Sequence, residues 1–281
     1  MTRHRVGPIA HEDTYDGDPR FASVTVNRST TRYLKLMLLT LAEQQELGLV
    51  RRIVIVDNAS RDHAGSFLAA LAAAVPRVIV AENRHFLNHA RGIRTGLRAL
   101  ERAERDETPG TRTNLMLFCD PDVIFRNPET ILTLASVITV HDAAFAGELR
   151  QSSRRFPDAQ ASFVALRRDW MARREIAPWV NHGSPCLWMQ ESIWRTGGVV
   201  VEFPSNNGGY ILHRGRSAVA AAREYTPRSS YATAATNTPH FMDVPEGSQI
   251  WAEVEDHWSP LLAPEREDEL VAHLAERFRF R

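Results

Sequence analysis

An Asp-Pro-Asp unit, Asp120-Pro121-Asp122, follows directly on the apolar run Leu115-Met116-Leu117-Phe118-Cys119. Two carboxylates at i and i+2, at the mouth of an apolar strand, reach one cation or its waters. Hard oxygen ligands suit Mg2+ or Mn2+, and such an ion can bridge a diphosphate. The same residues also make an ordinary turn and helix cap, so the strand context is what favours the metal. A second acidic end, Asp57-Asn58, closes the run Ile53-Val54-Ile55-Val56. The Asp57 carboxylate can accept a hydrogen bond from a base or a sugar, or it can close an Asx-turn. His213 ends a third apolar stretch, Tyr210-Ile211-Leu212. If it shares a cation with Asp122, its imidazole tilts the preference toward Mn2+. Arg84, Arg91 and Arg94 surround a polar loop and offer partners for phosphate oxygens. Lys35 is the only lysine of the chain, every other basic residue except histidine being arginine, so a single Arg carries little information.

The elements that would position these groups alternate along the first half. Strands are expected at 21–26, 52–56, 78–80 and 115–119, with helices at 33–47, 65–75, 90–105 and 128–140. Four β-branched residues in a row at 53–56 indicate a strand covered on both faces, as in a parallel sheet. The β-α alternation predicts an α/β fold, an open and mostly parallel sheet flanked by helices. Ligands of such sheets bind beyond the carboxyl ends of the strands. Asn27-Arg28, Asp57-Asn58 and Asp120-Pro121-Asp122 all stand at strand ends of that kind. The second half is less regular: strands near 143–148, 161–167, 199–203 and 210–213, and helices at 169–176 and 185–197. Residues 227–248 read as a Ser/Thr/Pro/Asn-rich loop or lid, and a helix starts near Pro264 with acids in its first turn and arginines in its last. Residues 1–20 read as a flexible arm, 21–223 as the main domain, and 224–281 as a loop and helix extension packed on it.

Composition bounds the rest. The 281 residues are 43% hydrophobic with a formal net charge of zero, which provides no basic footprint for nucleic acid. Two cysteines, Cys119 and Cys186, are too few for a disulfide framework and sit among apolar residues. No apolar stretch reaches the roughly 18–20 residues of a membrane span, and the polar N-terminus lacks a signal-peptide core. A cytoplasmic protein is expected, with peripheral contact at the inner membrane face as an option. A P-loop, a Gly-x-Gly-x-x-Gly after the first strand, a Gly-x-Ser-x-Gly elbow and zinc-type Cys/His spacing are all absent.

The ordered set Val24 to Arg28, Ile53 to Ser60, Gly92-Ile93-Arg94-Thr95-Gly96-Leu97, Phe118 to Val123 and His213-Arg214-Gly215-Arg216-Ser217 resembles the inverting family 2 glycosyltransferases, which have the GT-A fold. The resemblance covers about residues 21–217. It implies a nucleoside-diphosphate-sugar donor, with Asn27, Arg28, Asp57 and Asn58 near the base and Arg84 or Arg94 near base or phosphate. Asp120 would face the ribose or the metal, Asp122 would ligate Mn2+ or Mg2+, and His213 would complete the site. A general base would come from the region before the Gly197-Gly198 helix end. Glu191 is the only carboxylate there, and His182 is the second candidate. The glycine-rich loop of many relatives is replaced by Phe86-Leu87-Asn88-His89. The Q-x-x-R-W signature of processive synthases is missing, which favours transfer of a single sugar. The partners implied are the nucleotide-sugar donor and a small-molecule or lipid-linked acceptor, with a homodimer as an option. A sugar nucleotidyltransferase and a catalytically silent nucleotide-sugar-binding module are the alternatives.

Overall fold

The structure is a computed structural model that describes residues 3–4, 17–150, 156, 158–180, 185–228, 230–233 and 238–279. Strand β1 is Arg3–His4, β2 is Phe21–Asn27 and β3 is Val50–Asn58, with helix α1, Thr31–Ala42, between the last two. Helix α2 (Ala64–Ala74), β4 (Val78–Asn83), α3 (His89–Ala103) and β5 (Leu115–Cys119) complete the alternating half. Then come β6 (Val123–Phe125), α4 (Thr130–His141), β7 (Ala143–Leu149), β8 (Ala159–Arg167) and the short α5 (Arg168–Met171). Helix α6 (Leu187–Arg195), β9 (Val199–Glu202), β10 (Ile211–His213) and α7 (Ser217–Tyr225) follow. The chain ends in α8 (Ser230–Thr233), α9 (Gly247–Leu262) and α10 (Glu267–Arg277).

Eight strands form one sheet in the order β1-β9-β7-β8-β5-β2-β3-β4, and β10 pairs with β6 in a separate two-stranded sheet. The pairs β2/β3, β3/β4, β2/β5 and β7/β9 are parallel, and β8 runs antiparallel to both neighbours. Register fixes the functional edge: Asn27 lies opposite Asp57, and Asn58 opposite Asn83. Phe118 lies opposite Val24, so Asp120 stands at the same carboxyl-terminal rim. The inner strands are apolar throughout because both faces are covered. One face packs on α1, α2, α4 and α10, and the other on α3 and α6. Helix α3 lies close to the sheet because it has no side chain at two contacts. A Cβ on Gly92 would stand 2.9 Å from Val26, and one on Gly96 2.9 Å from Val56.

Several boundaries differ from expectation for identifiable reasons. The leucine-rich helix stops at Ala42 rather than 47, where the Gln44 side chain turns to bond the Asn127 carbonyl and the Ile131 N–H. Within the expected flexible arm, Arg3 and His4 add a strand to β9, whose open edge offers unpaired backbone groups. The expected 227–248 loop contains α8 and the beginning of α9, and α7 precedes it. The helix expected at 169–176 is confined to α5. In α10, Leu270, Leu274 and Phe278 are buried in the main core.

Candidate active site at the carboxyl-terminal rim

Asp120 and Asp122 flank the turn between β5 and β6, and His213 ends β10. Antiparallel pairing of β10 with β6 puts His213 opposite Val123, which folds the imidazole back over the two acids. His213 Nε2 lies 3.3 Å from Asp122 Oδ1 and 3.7 Å from Asp120 Oδ2. One potential ligand atom from each residue falls within 4.8 Å of the others. The Asp122 side chain is 4% exposed, that of His213 12% and that of Asp120 29%, so the cluster opens to solvent on the Asp120 side.

The surroundings treat the two acids differently. Burial, reinforced by the Asp122 charge, pushes the Asp120 carboxyl up, against the opposing pull of His89 and His213. For Asp122, burial also works upward but is outweighed. The His213 charge and hydrogen bond, with bonds from Ser217, hold it down at about 2. The Ser217 N–H contacts Asp122 Oδ2 at 3.3 Å from the first turn of α7, where the helix dipole favours an anion. Burial lowers His213, but the adjacent carboxylates, Asp122 first, raise it overall. The Asn206 Oδ1 fixes its backbone by accepting from the His213 N–H at 2.9 Å. The His240 ring meets His213 edge-on with centroids 5.8 Å apart. It packs where Gly215, at φ +71, has no side chain.

Next to this cluster, a cavity of about 390 Å³ opens above the ends of β2 and β3, lined by Arg28, Arg61, Arg84, His85, Phe86 and Tyr225, among others. The Arg28 guanidinium lies 3.4 Å from the Phe86 ring centroid, and the Phe86 ring is half exposed. The cavity thus combines cations and an aromatic face, a chemistry that accepts a phosphorylated planar ligand.

Of the residues anticipated at this rim, Asp120, Asp122 and His213 come together, and Arg28 and Arg84 line the cavity. Asp57 is half-buried at its border, accepting from the Ser60 N–H at 3.3 Å. Three other anticipated residues are placed differently from those lining the cavity. Asn27 is fully buried: its amide donates to Thr31 and Ser60 hydroxyls, while Oδ1 accepts from the Thr30 N–H and hydroxyl. It has no capacity left for a ligand and instead holds the turn bearing Arg28. Asn58 is also engaged: its amide donates to the Leu87 carbonyl, and its Oδ1 accepts from the Leu87 N–H and the Asn83 amide. It anchors the loop that presents Phe86. Arg94 is exposed on the face of α3 opposite Gly92 and Gly96, away from the sheet. Glu191, on α6, forms an ion pair with Arg195 one turn along, and His182 lies outside the described residues. Sequence reasoning missed Tyr225 as a lining residue. Phe86 and His89 stand in the Phe86-Leu87-Asn88-His89 segment that the sequence singled out, Phe86 lining the cavity and His89 acting on Asp120.

No family model matches the sequence, and no curated protein matches it. Among solved structures, residues 1–349 of S. aureus TarS align over 92% of this chain and 88% of that one, at 12% identity and a TM-score of 0.51. A longer S. aureus TarS structure aligns over 92% of this chain and 53% of that one, at 14% identity and a TM-score of 0.51. A mannosyltransferase, PcManGT from Pyrobaculum calidifontis, solved with GDP-Man and Mn2+, aligns over 94% and 79% at 14% identity, with a TM-score of 0.49. At identities this low, the TarS likeness concerns the fold, which is the GT-A fold. No helix among the described residues is long and apolar enough to cross a membrane.

Proposed function

We propose that this chain is a metal-dependent, inverting glycosyltransferase of family 2. It moves one sugar from a nucleoside-diphosphate-sugar donor to a hydroxyl of a small-molecule or lipid-linked acceptor. The observation that carries this reading is the Asp120–Asp122–His213 cluster at the rim of a GT-A sheet, linked through Ser217, which bonds Asp122, to Ala218 in the wall of an arginine-lined cavity. The residues suit a divalent ion. Two carboxylates and one imidazole are a donor set for Mn2+ or Mg2+, and a cation favours the charged form of Asp120, which burial first and the Asp122 charge second disfavour. When bound, the ion offsets negative charge on the departing diphosphate.

The chain's own residues then have separable tasks. Arg28, Arg84 and Arg61 take the anionic and planar parts of the donor, with Phe86 as the aromatic face and Asp57 at the base. The acceptor oxygen forms a bond to the anomeric carbon on the face opposite the diphosphate, and the carbon–diphosphate bond breaks. The acceptor proton passes to a base, for which Glu191 and His182 are the candidates. The ion pair between Glu191 and Arg195 supports one second reading, a module that binds nucleotide sugars without turning them over.

Replacing both acids, Asp120→Ala with Asp122→Ala, is expected to lower transfer at least about 1,000-fold while the circular dichroism spectrum stays native, since buried electrostatic stabilisers contribute on that scale. A doubly substituted protein that still turns over would rule the reading out.

A further inference from the structure

The sheet face that carries Asp120 holds two buried polar atoms with no partner among the described residues. Strand alternation puts Phe118 and Asp120 on one side of β5 and its extension, and Ser162 on the same side of β8, because Cys119 and Phe163 both pack into the opposite core. Trp179 covers this face, its ring centroid 4.6 Å from that of Phe118. Trp179 is 3% exposed and Ser162 is 6% exposed, yet Trp179 Nε1 and Ser162 Oγ make no hydrogen bond among the described residues. Ser162 is tied to the acid itself, its carbonyl accepting from the Asp120 N–H at 2.9 Å. The His89 ring lies edge-on to Trp179 at 6.4 Å, and its charge acts on Asp120.

Unpaired buried donors cost stability and are uncommon, so such a pair beside a site needs a cause. An indole N–H only donates, and a serine hydroxyl donates and accepts. A partner must therefore present an acceptor to Trp179, and either an acceptor or a donor to Ser162. It need not be an anion, because the arginines that could take one, Arg28, Arg61 and Arg84, line the other cavity. Vicinal hydroxyls of a hexose meet these requirements.

We propose that Trp179 Nε1–H and the Ser162 hydroxyl grip the hydroxyl groups of the transferred sugar, forming with His89 a sugar subsite on the Asp120 side of the rim. This inference rests on the nucleotide-sugar reading and assigns the part of the donor that discriminates one sugar from another.

The test is calorimetry in Mn2+ with UDP-glucose, UDP-N-acetylglucosamine, dTDP-rhamnose and GDP-mannose, each beside its free nucleoside diphosphate. Wild type, Trp179→Phe and Ser162→Ala are compared. Ser162→Ala keeps the local packing and serves alone if Trp179→Phe, which shrinks a buried side chain, unfolds the protein. Loss of one neutral hydrogen bond predicts roughly 3- to 10-fold weaker binding of the nucleotide sugar, with the free diphosphate unchanged within about twofold. Equal binding of the sugar donor by wild type and both variants would overturn the subsite, leaving buried water as the partner. Equal loss for the sugar donor and the free diphosphate would also overturn it. If wild type bound none of these compounds, the donor reading itself would fail, and this inference with it.

Discussion

Asp122 and Asp120 are two residues apart, yet their environments separate them. Asp122 is held low by His213 and by the first turn of α7, while burial and its neighbour push Asp120 up. Such a split suits a pair in which one acid is a fixed ligand and the other responds to what binds. The two thiols have no comparable role. Burial raises both Cys119 and Cys186, the latter to about 12, which leaves them unreactive packing groups. The base is a residue-level question as well. If Glu191 takes the acceptor proton, Glu191→Gln lowers kcat about 100-fold or more with the donor KM unchanged. Steady-state kinetics with the identified donor reads this, and an unaltered kcat would move the role elsewhere. At this scale the sequence places acids at strand ends but does not say which amides are already engaged. Nothing in the letters distinguishes Asn27, spent on Thr30, Thr31 and Ser60, from an asparagine that faces a ligand. Arg94 shows the same limit, because a motif gives a residue's position along a helix without saying which flank is open.

The acids and the imidazole meet because β10 pairs with β6, two strands of three residues each. Strand β6 was not legible in Val123-Ile124-Phe125, since three apolar residues carry no period and only pairing makes them a strand. The loop before β10 is built around Glu148 at the end of β7. That carboxylate is 6% exposed and accepts from the Ser205 hydroxyl at 3.1 Å and the Asn207 amide at 2.7 Å. It also accepts from the Asn206 N–H. Asn206 in turn fixes the His213 backbone. Glu148→Gln turns one of these acceptors into a donor facing donors. The expected cost is about 1–3 kcal/mol, seen as a lower melting temperature, together with weaker Mn2+ binding in titration calorimetry. Unchanged Mn2+ affinity would show that this loop does not position His213.

On the scale of the whole chain, the β-α alternation of residues 21–141 was readable because inner parallel strands must be apolar and their ends polar. The mixed order β9-β7-β8-β5 was not readable, because nothing local states which strands pair across a long insertion. The C-terminal helices cover the sheet face opposite α3. Leu270, Val271, Leu274 and Phe278 enter the core beside α2, and Lys35 pairs with Glu267 at 2.5 Å. These contacts pack α10 against the same core that α1 and α2 cover. The account rests on that rim gathering a cation and a diphosphate in one place, and binding of a nucleoside diphosphate by wild type and Asp122→Ala, with Mn2+ or with EDTA, tests it most directly. Titration calorimetry is expected to show Mn2+-dependent binding by wild type, weakened about 100-fold or more both by EDTA and by the substitution. Equally tight, Mn2+-dependent binding by Asp122→Ala would contradict it.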